Sequence, residues 1–431
     1  MVYKGLLRFF WPLVLTQIAL GFGSQFLSGG MARMPHATQT LAAFGLAWGL
    51  TDFLVSPLSQ VRQLGLVLAA DKAALHRLRA FVLACSSVLV LMLFALAKTE
   101  LGDWVIGDLH GVDAVLGEKA RWVLLLFIPL PLLEGIYRLY SGVLIQMRRT
   151  DVVSMAMLAG IGVQIIAVFW FLQADWIEDT PILLPVIAVY LGEGVGLVVV
   201  LWGYWRFAPS HYREEAEKVE LSYSYIVRFF WPLALVMAIQ GMSRPLVNLF
   251  VSHQQDGALA LATLAVVYPL AHLPYGWVNE LRSLPSAFSK EGIMPQIRRF
   301  ATGCGLLSFL SMALLFWTPM RDYILLDLIG IDGDLARLCA VPLMVFSFFP
   351  IAVALRSYFN GVALTQHRTR SLAPSAPARI ATIFLALLLF SHWQWAGATM
   401  GVTALLGGFV AETICVWLGV RIWPLWRAAR V

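Results

Sequence analysis

The chain has 431 residues, of which 60% are hydrophobic and only 13% charged, with a formal net charge of +6. Soluble domains run nearer half apolar and a quarter charged, and a chain of this length cannot hide so much apolar surface in one water-soluble core. Lipid is its natural solvent, and the positive charge, once placed on loops, calls for no nucleic-acid partner.

Apolar runs of about 20 residues recur along the sequence, the length a helix needs to cross a bilayer. They are continuous, as in "FVLACSSVLVLMLFALA" from Phe81, whereas barrel strands would alternate and be shorter. Twelve spans are predicted in chain order near 6–30, 40–69, 77–98, 121–146, 152–173, 181–205, 226–251, 259–288, 298–318, 338–364, 372–391 and 396–423. The first run lacks a small-residue cleavage site and is expected to stay as the first helix. The loops sort by charge. One set carries Lys72, Arg77, Arg79, Arg148, Arg149, Lys290, Arg298, Arg299, Arg368, Arg370 and Arg421. The other is acidic or neutral, with Glu100, Asp103, Asp108, Asp175, Asp179, Asp322, Asp327 and Asp334. The positive-inside rule then places the basic loops and both termini in the cytoplasm of a multi-pass inner (cell) membrane protein. The hydrophilic stretch 208–222 reads as a cytoplasmic linker between an N-terminal six-helix half (1–207) and a C-terminal one (223–431). Cys85, Cys304, Cys339 and Cys415 show no metal spacing and read as packing residues.

The halves repeat. Arg8-Phe9-Phe10-Trp11-Pro12-Leu13 recurs as Arg228-Phe229-Phe230-Trp231-Pro232-Leu233, an offset of 220 that holds through Arg62/Arg282. Further on the offset is 219, matching Pro131 to Pro350, Gly142 to Gly361, Arg149-Thr150 to Arg368-Thr369 and Glu193 to Glu412. A unit with an even number of spans enters the membrane in one direction both times, so the repeat is parallel. Such architectures place a substrate site near the midplane and alternate access by rocking.

Three motifs are distinctive: "RFFWPLALVMAIQGMSRPLVNLFVS" from Arg228, "YPLAHLPYGWVNELRSLPSAF" from Tyr268 and "LDLIGIDGDLARLCAVPLMVFSFFP" from Leu326. With "LAPSAPARI" from Leu372 and a fainter "LAAFGLAWGL" from Leu41, they resemble the progressive ankylosis (ANK) family. The resemblance implies export of small polyanions such as pyrophosphate, ATP-like nucleotides or citrate. It also implies the all-α integral membrane fold of multidrug and toxin extrusion (MATE-like) exporters, two six-helix bundles.

Ionisable groups inside spans are costly and each needs a role or partner. Arg62 and Arg282 occupy matching sites, and Arg138 and Arg356 lie at similar depth; together they could line a cationic vestibule suited to phosphate or carboxylate. Snorkelling or pairing with acids is the plainer alternative. Arg244 lies beside Pro245, with Asn248 one turn on, at an expected helix kink. His272, Tyr275, Asn279 and Arg282 form a polar stripe in the eighth span, flanked by Glu280; its first-half counterpart carries Asp52. Glu193, Glu412 and Glu134 either bind a coupling proton or cation or neutralise arginines. No phosphate loop, metal cluster or nucleophile elbow appears, so no cofactor and no enzymatic chemistry are expected. The reading is a monomeric exporter of a small anionic substrate. A lipid-linked pyrophosphate flippase and a cation-coupled multidrug extruder stand as alternatives.

Overall fold

The computed structural model describes residues 2–31, 33–34, 37–109, 114–214, 221–252, 257–329, 331, 333–393, 395 and 397–428. These residues are helical and turn, without a strand. The helices are α1 (Val2–Met31), α2 (Ala37–Val55), α3 (Val61–Leu68), α4 (Lys72–Lys98), α5 (Ala114–Leu126), α6 (Leu130–Gln146), α7 (Thr150–Phe171) and α8 (Leu183–Glu214). There follow α9 (Tyr223–Gly241), α10 (Ser243–Ser252), α11 (Gly257–His272), α12 (Met294–Phe316), α13 (Gly333–Phe346), α14 (Phe349–Thr365), α15 (Ser375–His392) and α16 (Gly397–Ala428). Among the described residues eight helices are long and apolar enough to cross a membrane, or nine if the bent pair α5 and α6 counts as one span.

Several expected spans are broken, each at an identifiable place. The second is α2, a 3-10 turn over Ser56–Gln60, then α3; the eighth is α11, then a 3-10 stretch over Gly276–Ser283. The two 3-10 stretches begin 220 residues apart, so the break belongs to the repeat. Pro57 and Pro274 each remove a backbone donor at these points. The stripe from His272 to Arg282 therefore does not lie on one α-helical face: His272 ends α11, and Asn279 and Arg282 sit three apart on the tighter 3-10 turn, where such residues eclipse. The seventh span breaks at Met242, between α9 and α10, three residues ahead of Pro245 in the sequence. The fourth bends by 45° between α5 and α6, at Pro129 and Pro131. The tenth breaks between α13 and α14, ahead of Pro350.

Other ends shift. The third span begins at Lys72 because Asp71 caps it, accepting from the Ala74 amide at 2.7 Å. Helix α8 runs on to Glu214, well into the expected linker, and residues 215–220 of that linker lie outside those described. Helices α6 and α14 end in the same cap. The amides of Arg148 and Arg149 bond to the carbonyls of Ile145 and Leu144, and those of His367 and Arg368 to Leu364 and Ala363. This is a Schellman motif, which puts Arg148 at φ 59° and His367 at φ 54°.

Packing divides the chain into two compact units, Trp11–Phe230 and Met1–Phe10 with Trp231–Val431. Both cuts fall at the same repeat position, before the Trp-Pro pair. In the second unit Phe9 meets Phe288 edge-on at 5.4 Å, and Phe10 packs on Trp277 at 5.9 Å and Phe300 at 5.8 Å. In the first, Phe230 meets Phe81 at 5.6 Å and the Leu221 carbonyl accepts from Arg77 at 2.6 Å. The first unit has its own core, with Phe127 at its centre packed against Phe44, Trp48 and Tyr190.

Candidate functional site

Among the described residues, a cluster of buried charges lies in the unit containing Trp231–Val431. Glu412, in the middle of α16, is fully buried. Its Oε2 accepts from Arg356 Nη1 at 2.9 Å and from Arg379 Nη1 at 3.2 Å. Its Oε1 accepts from the Gln240 amide of α9. Arg356 also donates through Nη2 to Asn279 Oδ1 at 2.7 Å, and Asn279 is held in turn by the Gly276 carbonyl at 3.0 Å. Both guanidinium groups lie over the ring of Phe409, Arg379 at 3.9 Å and Arg356 at 5.1 Å.

The residues come from five elements: α9, the 3-10 stretch after α11, α14, α15 and α16. Arg356 is 9% exposed and Arg379 7%, so both charges are largely removed from water. A buried ion normally brings one partner of opposite sign. Here two cations share one carboxylate, so one positive charge in the cluster is uncompensated. The Nε atoms of both arginines are buried and make no hydrogen bond among the described residues. Such a cluster has donors to spare for an anion with several acceptor oxygens.

A second polar group lies in the same unit. Arg244 stands 5.0 Å over the ring of Tyr268, whose buried hydroxyl has no hydrogen-bond partner among the described residues. The buried Oδ1 of Asn248 likewise has none among them. His272 meets Tyr275 edge-on at 5.1 Å, and Tyr275 leans on Phe349 at 6.0 Å, which packs on Phe409 at 5.0 Å. Aromatic contacts thus run from His272 to the ring beneath Arg356 and Arg379. Glu280 is buried, on the same 3-10 stretch as Asn279 and Arg282.

The unit Trp11–Phe230 is built differently at matching positions. Arg138 is ion-paired with Glu134 of its own helix at 2.6 Å. Glu193, the repeat partner of Glu412, lines a cavity of about 300 Å³ with Phe44, Trp48, Tyr137, Arg138 and Gln164. Tyr137 and Gly160 stand where the second half has Arg356 and Arg379. Gly160 lets α7 approach α8 closely, since an added Cβ would sit 2.7 Å from the Gly192 carbonyl oxygen. Asp52 is exposed on α2.

Arg62 is buried on α3. Its backbone carbonyl, like that of Arg282, faces a glycine of the fourth or tenth span: Gly142 for Arg62 and Gly361 for Arg282. Arg62 and Arg138 lie in one unit and Arg282 and Arg356 in the other, with Arg138 and Arg356 each bound to a glutamate. Sequence reasoning missed Arg379 and Gln240. The signal for Arg379 is a lone cation at the start of an apolar helix, inside "LAPSAPARI".

Residues 1–298 match the family model described as Progressive ankylosis protein (ANKH). Among solved structures, the eukaryotic MATE transporter AtDTX14 superposes with a TM-score of 0.73 at 15% identity, covering 96% of this chain and 94% of that one. The Vibrio cholerae MATE transporter VcmN in its bent form gives 0.72 at 14%, covering 97% and 96%. A MOP superfamily transporter from Pyrococcus furiosus, described as having a binding pocket of reverse polarity, gives 0.71 at 14%, covering 99% and 96%. The chain shares the MATE fold with these proteins.

Proposed function

The chain belongs to the progressive ankylosis family, and from that premise we propose that it is a membrane transporter exporting small polyanions, such as pyrophosphate, ATP-like nucleotides or citrate, by alternating access. The observation that carries this reading is the pair of buried arginines sharing Glu412. A guanidinium group is the side chain best matched to phosphate and carboxylate, because its fork donates parallel hydrogen bonds. Arg244, Asn248, Tyr275 and Asn279 add polar surface in the same unit, and Arg282 adds a further cation. The Pyrococcus furiosus protein, described as having a binding pocket of reverse polarity and a different function, is a precedent for a change of pocket polarity on this fold.

The energetics suffice. An inside-negative potential favours anion exit by roughly 2.3 kcal/mol per charge per 100 mV, so a trivalent anion is driven out by about 7 kcal/mol. In proteoliposomes, labelled pyrophosphate, ATP or citrate should move in response to an imposed potential, and Arg379→Met should abolish most of that flux. Absence of flux for all three with folded protein would sink the proposal.

A specific observation favours a variant of this reading in which export is coupled to a cation. Glu193 lines a cavity beside Arg138 and, among the described residues, forms no ion pair, in contrast to Glu412. Glu134, already bound to Arg138, and Asp52 add negative charge to the same unit. A cation gradient should then drive anion flux at zero potential, and Glu193→Gln should remove that response while leaving potential-driven flux intact.

A further inference from the structure

The ratio of charges around Glu412 is odd for a structural ion pair. Desolvating a second guanidinium is costly, and one arginine would neutralise the carboxylate. The repeat shows that the surplus is local. The equivalent glutamate, Glu193, has Tyr137 and Gly160 at the two positions where Glu412 has arginines. The arginines stand around a glutamate that exists in both halves, on one side only.

The way they are held also matters. Phe409 supports both guanidinium groups by its ring face, a contact that uses none of their N–H donors. What anchors them through donors is mainly one carboxylate oxygen, Glu412 Oε2, with Asn279 taking one further bond from Arg356. The other oxygen, Oε1, is bound by a neutral amide from a different helix, Gln240. That amide remains a partner for Glu412 when the arginines turn elsewhere. To a guanidinium, a side-chain carboxylate and a cargo carboxylate or phosphate are equivalent acceptors.

We propose that Glu412 is an intramolecular competitor of the cargo: it holds Arg356 and Arg379 in the empty protein, yields them to a polyvalent anion, and displaces that anion when it is released. This rests on the polyanion reading above and deepens it. The competition sets the class of cargo. An anion must satisfy two guanidinium groups at once to displace a carboxylate already bound to both, so it needs at least two charged acceptor groups. Monovalent anions such as chloride are refused by the same competition.

The test measures binding of inorganic pyrophosphate to the purified full-length chain, with chloride as the monovalent control, and pyrophosphate exchange in proteoliposomes. Glu412→Gln keeps the size of the side chain and an acceptor oxygen but removes the competing charge. It should bind pyrophosphate about tenfold tighter or more, given the strength of a charge–charge contact at this range out of water. It should also exchange pyrophosphate more slowly than the wild type, since release loses its competitor. A residue that merely shapes the site would weaken binding and slow exchange together. Should Glu412→Gln fail to fold, Glu412→Asp keeps the charge but sets it back by one methylene, loosening the longer contact to Arg379. Its affinity should rise by a smaller factor. Wild-type binding with unchanged or weaker binding in the variants overturns the competitor role and leaves the polyanion reading standing. If neither wild type nor variants bind pyrophosphate, ATP or citrate, the polyanion reading itself fails.

Discussion

Replacing Gly361 by alanine tests how tightly the tenth span grips the broken eighth. A Cβ on Gly361 would lie 2.5 Å from the Arg282 carbonyl oxygen and 2.7 and 2.8 Å from Cγ and Cδ of Pro285. Ordinary contacts start near 3.4 Å, and none of these atoms is the loose end of a side chain. The 3-10 stretch would have to retreat by several tenths of an ångström, an overpacking cost of about 1–3 kcal/mol. Alanine recovers about 1 kcal/mol in helix propensity. The net is a loss of up to about 2 kcal/mol. Gly303, on an exposed face of α12, is the internal control: nothing lies within 4 Å of its Cβ position, so Gly303→Ala should stabilise by up to about 1 kcal/mol. Thermal unfolding in detergent, followed by tryptophan emission, should place the two variants on opposite sides of the wild type. If Gly361→Ala proves as stable as Gly303→Ala, the packing of these two spans has been misjudged. Because Arg282 and Asn279 ride on the displaced stretch, Gly361→Ala should also slow anion flux, which Gly303→Ala should not.

Arg379→Met should lower polyanion affinity at least tenfold while leaving the melting temperature level or raised, since Glu412 keeps Arg356 at 2.9 Å and a desolvated cation is removed; replacing buried ions by apolar groups is often neutral or stabilising by about 1–4 kcal/mol. A collapse in stability would mean that the second arginine is structural. Arg148→Gly relieves a left-handed conformation in an exposed residue and should stabilise by about 1 kcal/mol, read in the same unfolding assay. His367, in the loop between α14 and α15, has its pKa lowered from the usual 6.5 by burial. A base with a depressed folded pKa adds stability above its unfolded pKa and loses it as the pH falls. Melting temperature should therefore drop below about pH 6.5, and His367→Asn, which tolerates the same backbone, should flatten that drop. An unchanged slope in the variant would show that other groups control the acid limb.

Much of the architecture is legible in the sequence because lipid imposes a coarse rule, about 20 apolar residues per crossing, and because the repeat supplies each element twice. The places where a helix breaks are less visible. Hydropathy averages over them, so the second and eighth spans read as continuous although Pro57 and Pro274 lie at the faults. Charge partners are harder still, because they join residues far apart in the chain. The repeat marks Glu193 and Glu412 as equivalent, yet one faces a cavity and the other holds two arginines. The charges that tell them apart are not local to either glutamate; they lie at positions 137, 160, 356 and 379. Arg379 escapes a search for symmetric cations because its counterpart is Gly160.

The aromatic pair at the start of α1 has a consequence for how the molecule is made. Phe10 finds its ring partners at Trp277 and Phe300, nearly 300 residues later in the sequence. At about 5–20 residues per second, the ribosome needs roughly 15–60 s to deliver them. Until then the Phe10 ring lacks both partners. A chain that stalls before its eighth span therefore cannot complete the packing of α1 in the second unit, which waits until about two thirds of the protein has been made.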